Sequence, residues 1–207
     1  SWEKGKQTTL YGKLREERVE GETIPLNGLG STVFSPSEKG VIVVSSVFDD
    51  TYSLSYLQLS KPGELEEVRL KGVRHKGVGE LVELAHLKDS RYMLVFNIDG
   101  CSWVYEGTFN EKKRVMNLDY VLVGKRPLHG GMLERVHYDA KSDSFTFSFS
   151  TATSPTQIYT VGGRRRNKVI LHTNEKVLGI PDGYLSDGED ASFISHDGLR
   201  VSARLYL

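Results

Sequence analysis

Ser144-Phe-Thr-Phe-Ser-Phe-Ser-Thr-Ala-Thr-Ser-Pro-Thr-Gln-Ile-Tyr-Thr-Val161 decides the fold. Phenylalanines at 145, 147 and 149 alternate with hydroxyl residues, the period of a strand with one buried face. A polar turn at 151–155 follows, then a strand carrying Tyr159. The pattern occurs twice earlier. Val41-Ile-Val-Val-Ser-Ser-Val-Phe48 leads through Asp49-Asp50-Thr51 to Ser53-Leu-Ser-Tyr-Leu-Gln-Leu59. Tyr92-Met-Leu-Val-Phe-Asn-Ile98 leads through Asp99-Gly100 to Ser102-Trp-Val-Tyr-Glu-Gly107. Gln7-Thr-Thr-Leu-Tyr-Gly-Lys-Leu14 fits the tyrosine-bearing slot of one more unit.

Working outward, each full unit gains two strands. Gly30-Ser-Thr-Val-Phe34, Glu80-Leu-Val-Glu-Leu84 and Leu133-Glu-Arg-Val-His-Tyr138 precede the strands above as innermost members. Glu66-Glu-Val-Arg-Leu70, Leu118-Asp-Tyr-Val-Leu-Val123 and Lys168-Val-Ile-Leu-His172 close the units, and Thr23-Ile-Pro-Leu26 closes the first, incomplete one. Helical periodicity is nearly absent. Four antiparallel strands per ~45 residues make the blade of a β-propeller. The expected fold is therefore all-β: a partial β-propeller of about three and a half four-stranded blades, ending in a β-hairpin. The expected boundaries are a half blade at 1–30, blades at 31–76, 77–127 and 128–176, and a linker with hairpin at 177–207. A closed propeller needs about four to eight blades, so the chain is expected to be part of one. Its open blade edge calls for remaining blades, another domain or a second copy to cover it.

Composition narrows the function classes. Lys+Arg and Asp+Glu balance at 27 each, which argues against a general nucleic-acid binder. No apolar run reaches the ~18 residues of a membrane span. Cys101 is the single cysteine, which suits a reducing, cytoplasmic setting. Ser1 stands where a Met would, and reads as a processed or truncated start.

The last stretch is Phe193-Ile-Ser-His-Asp-Gly-Leu-Arg-Val-Ser-Ala-Arg-Leu-Tyr-Leu207. It reads as two strands joined at Asp197-Gly198, expected to form a two-residue type I′ turn. Together with Phe145 to Tyr159, this hairpin resembles the prolyl oligopeptidase family of serine peptidases, acylaminoacyl-peptidases included. The resemblance covers about residues 134–207 well and the rest loosely. It implies a propeller paired with a C-terminal α/β-hydrolase domain whose sheet the hairpin opens. The nucleophile elbow Gly-x-Ser-x-Gly is absent, and Gly28-Leu-Gly-Ser31 lacks its spacing. No catalytic residue carries over. The resemblance thus implies a non-catalytic portion that gates and positions short peptides for a hydrolase domain. The competing expectation is a propeller interaction module without enzymatic activity.

Blade topology points to one set of loops. Alternate loops of an antiparallel blade lie at opposite ends, and the chain leaves the last blade after its fourth strand. The loops at 49–53, 71–79, 99–102, 124–131 and 151–156 should then face the hydrolase domain. Arg74, Lys125, Arg126 and His129, with Asp50 and Asp99, are the candidate substrate contacts. Asp49-Asp50 reads first as a plain turn. Arg164-Arg-Arg166 is expected at the other end as a solvated hairpin tip. The six histidines lack metal-ligand spacing, and no cofactor is implied.

Overall fold

The computed structural model describes residues 2, 3, 5–22 and 27–206. The chain is all-β, a partial propeller ending in a hairpin. Two two-residue strands, β1 (Trp2–Glu3) and β2 (Lys6–Gln7), pair with each other. Three groups of four follow: β3 (Leu29–Phe34), β4 (Gly40–Ser45), β5 (Ser53–Gln58) and β6 (Leu65–Lys71); β7 (Gly79–Lys88), β8 (Arg91–Ile98), β9 (Cys101–Asn110) and β10 (Val115–Val123); β11 (Gly131–Asp139), β12 (Ser144–Thr151), β13 (Ser154–Gly162) and β14 (Lys168–Leu171). The hairpin is β15 (Glu189–Ile194) and β16 (Arg200–Leu205). The last group of four is a separate sheet in the order β11-β12-β13-β14. The first two groups form one eight-stranded sheet, β3-β4-β5-β6-β10-β9-β8-β7. Their closing strands run parallel, with Val115, Met116 and Asn117 opposite Arg69, Leu70 and Lys71. That edge pairing joins two repeats and is a feature that counting strands does not anticipate.

The chain divides into two compact units. One comprises Ser1–Val73, Glu80–Leu94 and Gly107–Leu118, the other Arg74–Gly79, Val95–Glu106 and Asp119–Leu207. In the first, β4 is buried along its whole length. Val41 and Val43 pack with Leu57 on one side, against Leu10, Tyr11, Leu59 and Leu65. The strand expected around Tyr11 is not formed. Residues 8–22 hold turns and a short 3-10 segment, Arg15–Glu17. One backbone bond, Gly63 N–H to the Leu10 carbonyl at 2.7 Å, stands where a strand ladder would be. Leu10 and Tyr11 keep their apolar role in the packing without the ladder. The expected closing strand at 23–26 lies outside the described residues.

In the second unit, the alternation of β12 is realised residue by residue. Phe145, Phe147 and Phe149 are fully or almost fully buried, while the Ser and Thr between them are half-buried. Burying each ring contributes roughly 1.5–3 kcal/mol. Phe145 stacks on Phe147 at 5.8 Å and lies 4.9 Å from Tyr138.

The closing hairpin departs from its expected turn. Ile194 pairs with Arg200, and Gly198 N–H bonds the Ser195 carbonyl at 3.0 Å. Only Gly198 takes a positive φ, 84°, so the turn is type I followed by a left-handed glycine. A type I′ turn would force Asp197 to positive φ as well. Instead the Asp197 carboxylate accepts from Leu199 N–H at 3.1 Å. Phe193 faces Val201 and Ala191 faces Ala203, so the alternating apolar residues share one side.

Candidate functional site

The sequence candidates fall on turns and crossovers, and each turn has its own local cause. In the first unit, Asp50 is exposed between β4 and β5. Asp49 beside it accepts from Thr51 through Oγ1 at 2.6 Å and N–H at 2.8 Å. Those bonds hold its carboxyl below the usual range. Asp49 therefore builds the turn, and Asp50 is its outward residue.

The other five candidates lie in the second unit, the exposed Lys125 next to Arg126. The antiparallel order of β7 to β10 brings the start of β7, the β8–β9 turn and the end of β10 to one end of that strand group. Arg74 sits in the crossover at 72–78, Asp99 in the β8–β9 turn, and Arg126 and His129 in the connection at 124–130. Arg74, Arg126 and His129 are exposed. Asp99 N–H bonds the Val78 carbonyl at 2.9 Å, tying the turn to the crossover.

Two aromatic residues of β9 support both connections. Tyr105 is fully buried, and its hydroxyl accepts the backbone N–H of Arg74 at 3.1 Å and of His75 at 2.9 Å. His75 Nδ1 lies 2.9 Å from the same oxygen. The His75 ring sits among Phe96, Trp103 and Tyr105, with centroids 5.0, 5.7 and 5.7 Å away. Burial lowers the His75 pKa and raises that of Tyr105. Trp103 lies against Gly124, where a Cβ would come within 2.3 Å of the indole. Gly124 N–H then bonds the Leu128 carbonyl at 2.7 Å, closing the loop that carries Arg126. Trp103 and Tyr105 are two apart on a strand and so share a face. That spacing is the sign of their joint role in the sequence, whereas the repeat marks Tyr105 alone.

Asp99 is already engaged. Arg200 of β16 donates to its carboxylate at 2.8 Å, and this bond is the main cause of its lowered pKa. Arg204 reaches the Asp187 carbonyl at 2.9 Å, and its guanidinium lies 3.7 Å from Cys101 Sγ. The hairpin is thereby fixed to the β8–β9 turn. Both partners are partly exposed, so the Asp99–Arg200 pair contributes about 0.2–1 kcal/mol. A lowered carboxyl pKa gives stability that is present above the usual 3.8 and lost as pH falls. Amide exchange across Arg200–Leu205 should accelerate in Asp99→Ala at pH 7. Wild type should approach that behaviour on acidification below about pH 4. Equal protection in both proteins at pH 7 would refute the anchor.

The basic cluster is corrected by the structure. Arg164 and Arg165 are exposed, but Arg166 is 3% exposed and inside the second unit. Its Nε donates to Glu106 at 2.5 Å and its Nη2 to Glu106 at 3.1 Å and Asp143 at 3.0 Å. The buried Glu106 carboxylate on β9, which no sequence pattern singles out, draws it in. Among the described residues, no group of three or more His, Cys, Asp or Glu is placed to hold a metal. No described helix is long and apolar enough to cross a membrane.

No family model matches the sequence, and no curated protein does. Solved structures do match. Prolyl oligopeptidase B from Galerina marginata, bound to a 25mer macrocyclization substrate, aligns with TM-score 0.58 at 12% identity, over 85% of this chain and 23% of that one. The fold is the propeller fold of prolyl oligopeptidases. A structure from a study of two prolyl endopeptidases aligns with this propeller at TM-score 0.56 and 17% identity, over 79% of this chain and 22% of that one. A puromycin-hydrolyzing peptidase from Mycobacterium tuberculosis aligns at TM-score 0.55 and 13% identity, over 86% and 25%. The propeller chain thus spans about a quarter of the length of the structures it matches.

Proposed function

We propose that this chain is the non-catalytic propeller portion of a prolyl-oligopeptidase-type serine peptidase, and that it gates and positions short peptides for a hydrolase domain. The carrying observation is the Arg200–Asp99 contact. It holds the closing hairpin at the end of β8 and β9, next to the crossover that presents Arg74. In this reading Arg74, Arg126 and His129 of the second unit meet the peptide, and Asp50 of the first unit is a separate candidate. Asp99 serves the junction. A cytoplasmic setting, suggested by one free thiol, and self-association through an open blade edge belong to the same proposal.

Arg74→Ala and Arg126→Ala in the peptidase that contains this propeller should each lower kcat/KM for short peptides about tenfold, chiefly through KM. A lost charge-assisted contact has roughly that effect. The 207-residue chain itself should not react with a fluorophosphonate, since it lacks the elbow serine. Unchanged kcat/KM across a peptide series in both variants would sink the reading and return the interaction-module alternative.

A further inference from the structure

We propose that Tyr105 and His75 form a pH-sensitive latch that positions the crossover carrying Arg74. The latch itself is a statement about the chain alone; its consequence for peptides rests on the function proposed above.

Hydrogen-bond accounting carries the inference. The Tyr105 oxygen accepts two backbone N–H groups, from Arg74 and His75. Two accepted bonds occupy both of its lone pairs. Its own proton must therefore point at His75 Nδ1, 2.9 Å away, which requires a neutral imidazole with Nδ1 bare. The three bonds depend on one another. If His75 takes a proton from water at Nδ1, the ring turns from acceptor to donor. The new N–H then faces an oxygen with no lone pair left, and the Tyr105 proton loses its acceptor. The crossover can relieve this only by withdrawing from Tyr105.

The surroundings offer His75 no compensating charge. On its own loop stand Arg74 and Lys76, both cationic. β8 presents Phe96, and β9 presents Trp103 and the Tyr105 hydroxyl. The Asp99 carboxylate lies at the β8–β9 turn beside Gly77, and Arg200 already holds it. Burial favours the neutral ring, which agrees with the geometry. The sign follows. A histidine pKa lowered in the latched state makes the latch full above the ordinary 6.5 and progressively lost below it.

Amide exchange by NMR on the full chain tests this, with His75 titrated by its ring carbon-bound protons. After correction for intrinsic exchange, protection of the Arg74 and His75 amides should be constant above about pH 6.5. Below that it should fall about tenfold per pH unit until the latched His75 pKa is reached. His75→Phe keeps the ring packing and the Tyr105 acceptor, so protection should persist and its pH step should vanish. Tyr105→Phe should lose protection of these two amides at every pH, while β12 amides stay protected. Protection that ignores the His75 titration in wild type would overturn the latch. So would a pH step that survives in His75→Phe. Because no substrate is involved, the latch can stand if Arg74 proves irrelevant to peptides, and fall if it does not.

Discussion

Arg166→Met should destabilise the protein by about 3–5 kcal/mol, with a fall in Tm on the order of 10 °C. Met keeps the aliphatic stem and removes the guanidinium. That group is the partner of Glu106, whose side chain is 2% exposed, so the variant leaves a carboxylate buried without its cation. It also takes one partner from Asp143, which holds both Arg166 at 3.0 Å and the Tyr138 hydroxyl at 2.6 Å. Asp143 is about half exposed and water can serve it, so most of the cost falls on Glu106. Adding Glu106→Gln removes the stranded charge and should restore a large part of the loss. Urea unfolding at pH 7 reads both effects. A single-variant cost below about 1 kcal/mol would mean that Arg166 is the solvated tip expected from sequence.

Glu111→Ala should cost about 2–4 kcal/mol, located in the first unit. Glu111 opens a single 3-10 turn after β9, capped by Asn110. Its carboxylate accepts from Ser35 Oγ at 2.8 Å, Ser37 Oγ at 2.7 Å, Ser37 N–H at 3.2 Å and Tyr56 OH at 2.7 Å. Ser35 and Tyr56 are 3% and 2% exposed, so the variant takes from two buried hydroxyls the carboxylate they share, at about 1–3 kcal/mol each. Arg114 lies 3.8 Å above the Tyr56 ring and forks onto Glu66 at 3.1 and 3.2 Å, so loosening Tyr56 disturbs that pair too. Burial alone would raise the Glu111 carboxyl, but the bonds from Ser37, Tyr56 and Ser35 outweigh it and hold it low. Its contribution is thus full above the usual 4.5 and lost as pH falls. The gap between variant and wild type should narrow in urea titrations below about pH 4.5, whereas a constant gap from pH 7 to pH 3 would contradict the assignment.

These two networks separate what a linear reading can and cannot find. Phe145, Phe147 and Phe149 announced their strand and its buried face, because a period of two is a property of the backbone alone. Tyr56 and Tyr105 announced one repeated slot, and both are buried. Their partners are not repeated. One hydroxyl finds Glu111, 55 positions along, and the other finds His75, 30 positions back. Among the candidates, Arg74, Arg126 and His129 were placed on loops by topology and are exposed there. Asp99, a candidate on the β8–β9 turn, also accepts from Arg200, 101 positions away, a contact that no local pattern foretells.

By itself the sequence determined the all-β class, the four-strand repeat, the closing hairpin and the lack of an elbow serine. Those follow from side-chain periodicity, turn chemistry and the identity of residues, all of which are local. Only the tertiary structure decided that β6 pairs with β10, that Tyr11 packs without a strand, that Arg166 is buried and that Tyr105 holds the Arg74 crossover. Each of these is a choice of partner between segments distant in the chain. Such choices rest on which buried polar group still lacks a bond once the strands have packed, and spacing along the chain carries no record of that.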